Sequence, residues 1–127
     1  MEHTQNTSVF VVEDSSDVRD ALVDLLECLP AVTVAGSAED AATAITAIAR
    51  CRPDVVVLDF QLATGNALDV LRALHPTLRE TSFIVLTNHA TEPYRRVCIE
   101  AGAHAFLDKA REFAKVKDVI AQVRAVS

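Results

Sequence analysis

Five short apolar runs punctuate the chain, separated by stretches in which apolar residues recur at helical spacing. Strands are predicted at 8–12, 32–35, 54–58, 83–86 and 104–107. The run Val55-Val56-Val57-Leu58 has no polar interruption, the mark of a strand buried on both faces. Helices are predicted at about 17–29, over the Ala-rich segment to about 50, and at 67–74, 92–101 and 112–125. In the first, Val18, Ala21, Leu22, Leu25, Leu26 and Leu29 share a face; in the last, Phe113, Val116, Val119, Ile120 and Val123 do so. Ser15 and Ser16 are N-cap candidates for the first helix, and Pro30 marks its end. Gly36 reads as the turn after the second strand, Ser37 with Asp40 as a capping box, and Gly102 as a C-cap. Strands alternating with helices make a parallel sheet covered on both faces, because parallel neighbours need helical, right-handed crossovers. Ligands of such sheets bind outside the carboxyl ends of the strands.

Those ends carry the chemistry. Glu13-Asp14 follows Val9-Phe10-Val11-Val12, Asp59 follows 55–58, Thr87 follows Phe83-Ile84-Val85-Leu86, and Lys109 follows Ala105-Phe106-Leu107-Asp108. Taken singly, each is an ordinary strand-end acid, hydroxyl or surface lysine. Their coincidence at successive strand ends of complementary chemistry carries the weight. Three carboxylates within a few ångströms repel unless a cation compensates. Mg²⁺, or Mn²⁺ in its place, suits such hard oxygen donors and accepts phosphate oxygens as well. Lys109 can pair with Asp59 and then with a phosphoryl oxygen, and Thr87 can donate a hydrogen bond to the same group. The set is equipment for accepting a phosphoryl group on an aspartate.

The 127 residues suffice for one domain, with a core at about 8–125 and any output on its own surface. The formal charge of −6 originates in residues 1–27, where seven acids face the single base Arg19. Such a domain is poorly suited to direct nucleic-acid binding, which needs clustered Lys and Arg. No signal peptide or membrane-length apolar run is visible, which predicts a cytoplasmic protein without membrane contact. Cys28, Cys51 and Cys98 lack metal-site spacing and read as reduced thiols in or near the core.

The motifs Val-Val-Glu13-Asp14, Val-Val-Val-Leu-Asp59, Ile-Val-Leu-Thr87 and Ala101-Gly102-Ala103-His104-Ala105-Phe106-Leu107-Asp108-Lys109 resemble those of the receiver domains of two-component response regulators, in stand-alone form. The resemblance spans essentially the whole chain. It implies a flavodoxin-like, doubly wound α/β fold with strand order 2-1-3-4-5 and five helices. It implies that Asp59 accepts a phosphoryl group from phosphohistidine on a histidine kinase or phosphotransfer protein. Glu13 (directly or through water), Asp14, Asp59 and the backbone carbonyl of Gln61 would hold Mg²⁺, and Thr87 and Lys109 would bind the phosphoryl oxygens. Thr87 and Phe106 would act as the switch, reshaping a face made of the fourth helix, fifth strand and fifth helix. That face would meet a downstream protein, or a second copy in a dimer, with Arg95, Arg96, Lys115 and Lys117 near it. Gln61, Asn88 and His89 would flank the phosphoryl group and influence its lifetime.

Three positions depart from the family's usual pattern. Ala63 and Ala110 stand where proline is common, so a cis bond after Lys109 is not expected. Asn88 stands where a small residue is usual. Three other classes compete with a phosphorylated switch. An Asp-nucleophile phosphatase would want a second Asp at position 61, which is Gln61. A flavin-binding protein would want Gly, Ser and Thr in its first loop, where Glu13-Asp14 stands. A receiver-like scaffold without phosphorylation fits the same fold. On this reading the chain is no enzyme beyond promoting its own phosphorylation and dephosphorylation.

Overall fold

The computed structural model describes residues 6–126. Its elements run β1 (Thr7–Val12), α1 (Ser16–Glu27), β2 (Val32–Ala38), α2 (Ala41–Cys51), β3 (Val55–Asp59), α3 (Ala67–Leu74), β4 (Ser82–Thr87), α4 (Glu92–Glu100), β5 (Ala103–Asp108), α5 (Lys109–Glu112) and α6 (Lys115–Val126). The five strands form one parallel sheet in the order β2-β1-β3-β4-β5. This is the doubly wound, flavodoxin-like order.

Strand alternation sorts the core into two layers. Phe10, Val12, Val56, Leu58, Phe83 and Val85 face α2, α3 and α4, packing with Ile48, Val70, Leu71, Leu74 and Cys98. Val9, Val11, Val55, Val57, Ile84 and Leu86 face α1 and α6, packing with Leu22, Leu26, Val116 and Ile120. Burying each such Leu, Ile or Val contributes roughly 1.5–3 kcal/mol. A one-residue slip would turn these faces over, so the two-sided core fixes where every strand ends.

Several local expectations are corrected. Gly36 is not the turn: β2 continues through it to Ala38, and the chain turns afterwards. Its register with β1 shifts between Val9 and Phe10, which sets Gly36 opposite Phe10. A Cβ on Gly36 would lie 3.0 Å from the Phe10 ring, so glycine lets that ring lie on the strand. The expected Ser37–Asp40 capping box does not form, because Ser37 is paired in the sheet with Val11. Asp40 is itself the N-cap of α2, accepting from the Thr43 amide at 2.7 Å. Of the two serines, Ser15 caps α1 and Ser16 is its first residue. Among the described residues six helices appear where five were expected, because the short α5 precedes the last long one. Only Cys98 of the three cysteines is buried; Cys28 and Cys51 are exposed, and all three are free thiols. Ala101 is the C-cap of α4, and Gly102, expected in that place, follows it with φ +116°.

The loop after β3 is held by its glycine. Gly65 has φ +83°, and a Cβ there would stand 2.7 Å from the Ala41 Cβ and 2.9 Å from an Asp69 carboxylate oxygen. Beside it, Asn66 and Asp69 form a reciprocal capping box at the start of α3. Gly65→Ala is expected to cost about 1–3 kcal/mol in urea unfolding, through backbone strain and overlap together. Wild-type stability in this variant would show that the loop is not held this way.

Candidate functional site

The carboxyl ends of β1, β3, β4 and β5 meet at one edge of the sheet, and they bring the predicted residues together. Glu13 follows β1 and is 1% exposed. Its Oε1 accepts from the Lys109 ammonium at 2.9 Å, and its Oε2 accepts from the Ser15 amide at 3.1 Å. Asp59 ends β3, with Oδ2 3.2 Å from the same ammonium. Asp14 is exposed at the rim. One carboxylate oxygen from each of Glu13, Asp14 and Asp59 lies within 4.8 Å of the other two. Clustered hard oxygens with an open acid at the rim fit a small divalent cation such as Mg²⁺.

Lys109 reaches these acids because of its own turn. Asp108 caps α5, its Oδ1 accepting from the Ala110 amide at 2.9 Å and the Arg111 amide at 3.0 Å. In return the Asp108 amide donates to Glu112 Oε1 at 2.8 Å. The Asp108 amide and the Lys115 ammonium beside it hold the Glu112 carboxyl below the usual carboxylate range. This capped turn carries Lys109 as its first residue. It contains a hydrogen bond from Ala110 that proline could not make, and no cis peptide bond occurs among the described residues. Ala63, the other departure, likewise uses its N–H, donating to the Glu39 carbonyl at 3.1 Å.

Burial pushes the carboxyls of Asp59 and Glu13 up from their ordinary values; Lys109 opposes this without overcoming it. Burial likewise works against the charged form of Lys109, but its bonds to Glu13 and Asp59 outweigh that, and its pKa is raised. Three carboxylates thus gather around one ammonium, which leaves the cluster short of positive charge.

Thr87 is 1% exposed at the end of β4, and its hydroxyl oxygen accepts from the His89 amide at 3.0 Å. That leaves the hydroxyl proton available for donation. Phe106 is half-buried on β5, opposite Val85 and packed against the α2–α4 layer. Strand alternation puts Thr87, two residues past Val85, on that same face. Gln61 is exposed and forms an antiparallel bridge with Asn66; Asn88 and His89 are exposed beside Thr87.

Sequence reasoning missed three groups here. Arg19 donates to the Glu13 carbonyl at 2.8 Å; its only sequence signal was being the lone base among seven acids. Tyr94 of α4 stacks on Phe60, the residue after Asp59, with ring centroids 4.8 Å apart. The Asp108–Glu112 pair was the third, and its i,i+4 acid spacing resembled no standard cap.

Because Asp59 and Glu13 have raised folded-state pKa values, their ionisation costs stability as pH rises through those values. A divalent cation that pairs with the ionised forms offsets that cost. Mg²⁺ is therefore expected to raise Tm at pH 7, by an increment that shrinks as pH falls through the carboxylate range. Scanning calorimetry across pH checks this; a pH-independent increment, or none at pH 7, would contradict it.

Known proteins share this sequence pattern and fold. The family model for the response regulator receiver domain matches residues 9–121. The DNA-binding transcriptional activator DevR/DosR of Mycobacterium tuberculosis is 36% identical over 115 residues, covering 87% of this chain and 53% of that protein. Protein-glutamate methylesterase/protein-glutamine glutaminase 2 of Koribacter versatilis is 36% identical over 107 residues, covering 82% of this chain and 29% of that protein. The chain thus spans about half the length of the first relative and under a third of the second. Among solved structures, the signal receiver domain of NarL from Mycobacterium tuberculosis matches with TM-score 0.86 and 26% identity, over 94% of this chain and 98% of that one. The response regulator domain of Thermotoga maritima CheB matches with TM-score 0.83 over 95% and 96%, and at 23% identity shows the fold alone. The chain belongs to the response regulator receiver domain family, the receiving modules of two-component signalling.

Proposed function

We propose that this receiver is a phosphorylation-dependent switch with Asp59 as its phosphoacceptor. The observation that carries the reading is the Lys109 ammonium, 3.2 Å from Asp59 and 2.9 Å from Glu13, beside an acid cluster that fits a divalent cation. A carboxylate oxygen of Asp59 attacks the phosphorus of a phosphohistidine on a histidine kinase or phosphotransfer protein. An O–P bond forms as the N–P bond breaks, and the departing imidazole keeps the electron pair and takes a proton. Asp14, Asp59, the Gln61 carbonyl and Glu13, directly or through water, would hold Mg²⁺, which when bound would supply positive charge to the phosphoryl oxygens. Lys109 exchanges part of its pairing with Asp59 for a phosphoryl oxygen, while Glu13 keeps it anchored. Gln61, Asn88 and His89 border the product and tune its lifetime.

The phosphoryl group adds about −1.5 to −2 charges and new acceptor oxygens. Thr87 turns its free proton toward them, and the half-buried Phe106 follows inward on the same face. The surface of α4, β5 and α6 then changes shape and meets a downstream protein or a second copy. This is the face that the sequence assigned to the fourth helix, fifth strand and fifth helix. Arg95, Arg96 and Lys117 are exposed there, whereas Lys115 is paired with Glu112 at 3.1 Å. The reading carries with it residence in the cytoplasm, where the phosphodonor is met.

Intact mass after incubation with acetyl phosphate and Mg²⁺ tests the proposal. One added phosphoryl group is expected in the wild type, and none in Asp59→Asn or after chelation. In the same sample the emission of Tyr94, the single tyrosine of a chain without tryptophan, reports whether α4 responds. An adduct that persists in Asp59→Asn would refute the assignment, and a wild type that never accepts the group would favour a scaffold.

A further inference from the structure

We infer that Arg19 is a positioning residue for the cation site, acting as a bracket between the two loops that supply its ligands. The inference rests on the reading of Glu13, Asp14, Asp59 and the Gln61 carbonyl as a Mg²⁺ site.

Arg19 lies in the first turns of α1, with its side chain 17% exposed. Its Nη1 donates to the main-chain carbonyl of Glu13 at 2.8 Å, and its Nη2 stands 3.4 Å from Glu39 Oε2. The peptide unit it grips is the one joining Glu13 to Asp14, so the contact sets the direction in which the exposed Asp14 carboxylate leaves the chain. Glu39 follows β2 and continues the path: its carbonyl accepts from the Ala63 amide at 3.1 Å. Two residues on, the Ala41 amide donates to the Thr64 carbonyl at 3.0 Å. Ala63 and Thr64 belong to the loop after β3, which the Gln61–Asn66 bridge closes. One guanidinium thus joins the acid-pair loop to the Gln61 loop through segment 39–41. A rigid planar fork suits two acceptors at a fixed separation.

A lone base among acids also invites a plainer explanation, compensation of their charge. The contacts speak against it, because they go to a main-chain carbonyl and to Glu39, neither of which is part of the carboxylate cluster. The two explanations predict opposite signs. If Arg19 only supplied positive charge, removing it would tighten cation binding; if it positions the ligands, removing it weakens binding although the site becomes more negative.

The test is Mg²⁺ titration of the full chain by calorimetry and by Tyr94 emission, for the wild type, Arg19→Ala and Arg19→Gln, with Tm measured without metal. Arg19→Ala is expected to raise the Mg²⁺ Kd about tenfold, the range seen when groups that orient metal ligands are lost. Arg19→Gln removes the same charge but keeps a donor, so it is expected to weaken binding less; it serves alone if the alanine variant does not fold. Unchanged or tighter binding in the folded variants would overturn the inference, and a lowered Tm with unchanged Kd would reduce Arg19 to a structural role. Wild-type chain that binds no Mg²⁺ would overturn the cation site itself, and Arg19's part with it.

Discussion

The site depends on one ammonium. Lys109 stands between Glu13 and Asp59, and three distant parts of the chain must converge for it to do so: the ends of β1, β3 and β5. Two partly desolvated carboxylates repel, and a single lysine lowers that cost without cancelling it, which is why burial still raises both their pKa values. On the proposed reading, the residual shortage of positive charge is met by a divalent cation, which would share a phosphoryl group's charge with the lysine.

Precision comes from the sheet, and local adjustment from the loops. Val9 to Val12, Val55 to Leu58 and Phe83 to Leu86 are at most 3% exposed, and each strand packs helices on both faces. Such strands cannot shift register without exposing a core layer, so Asp59 and Thr87 emerge at fixed points. The loops are held by hydrogen bonds at the two positions where the family resemblance led one to expect proline. The Ala110 amide belongs to the Asp108 cap that aims Lys109, and the Ala63 amide ties the Gln61 loop to Glu39. Proline at either position would remove the donor, so these two alanines are part of how this chain builds its site.

The central strands and the gathering of Glu13, Asp14, Asp59, Thr87 and Lys109 were legible in the sequence. An unbroken apolar run is a strong signal, and the topology of parallel sheets dictates where its end must lie. The edge strand β2 was less legible. Its residues alternate between half-buried and exposed, and Gly36 resembled a turn because nothing local reveals that the Phe10 ring lies over it. The capping box expected before α2 failed for a related reason: Ser37 has the chemistry of an N-cap, but pairing with Val11 claims it for the sheet first. The last helix was placed as one element because its apolar face is continuous, whereas the break at residues 113 and 114 follows from the Asp108–Glu112 turn. Arg19 could not be assigned at all without knowing which carbonyl it reaches.

The most direct test of the account is the titration of Asp59 and Glu13 carboxyl carbons by NMR, in the wild type and in Lys109→Met. Both groups are expected to titrate above ordinary carboxylate values in the wild type, and higher still once the ammonium is gone. Carboxyls that titrate at or below ordinary values, or that do not respond to loss of Lys109, would contradict a site organised around that one charge.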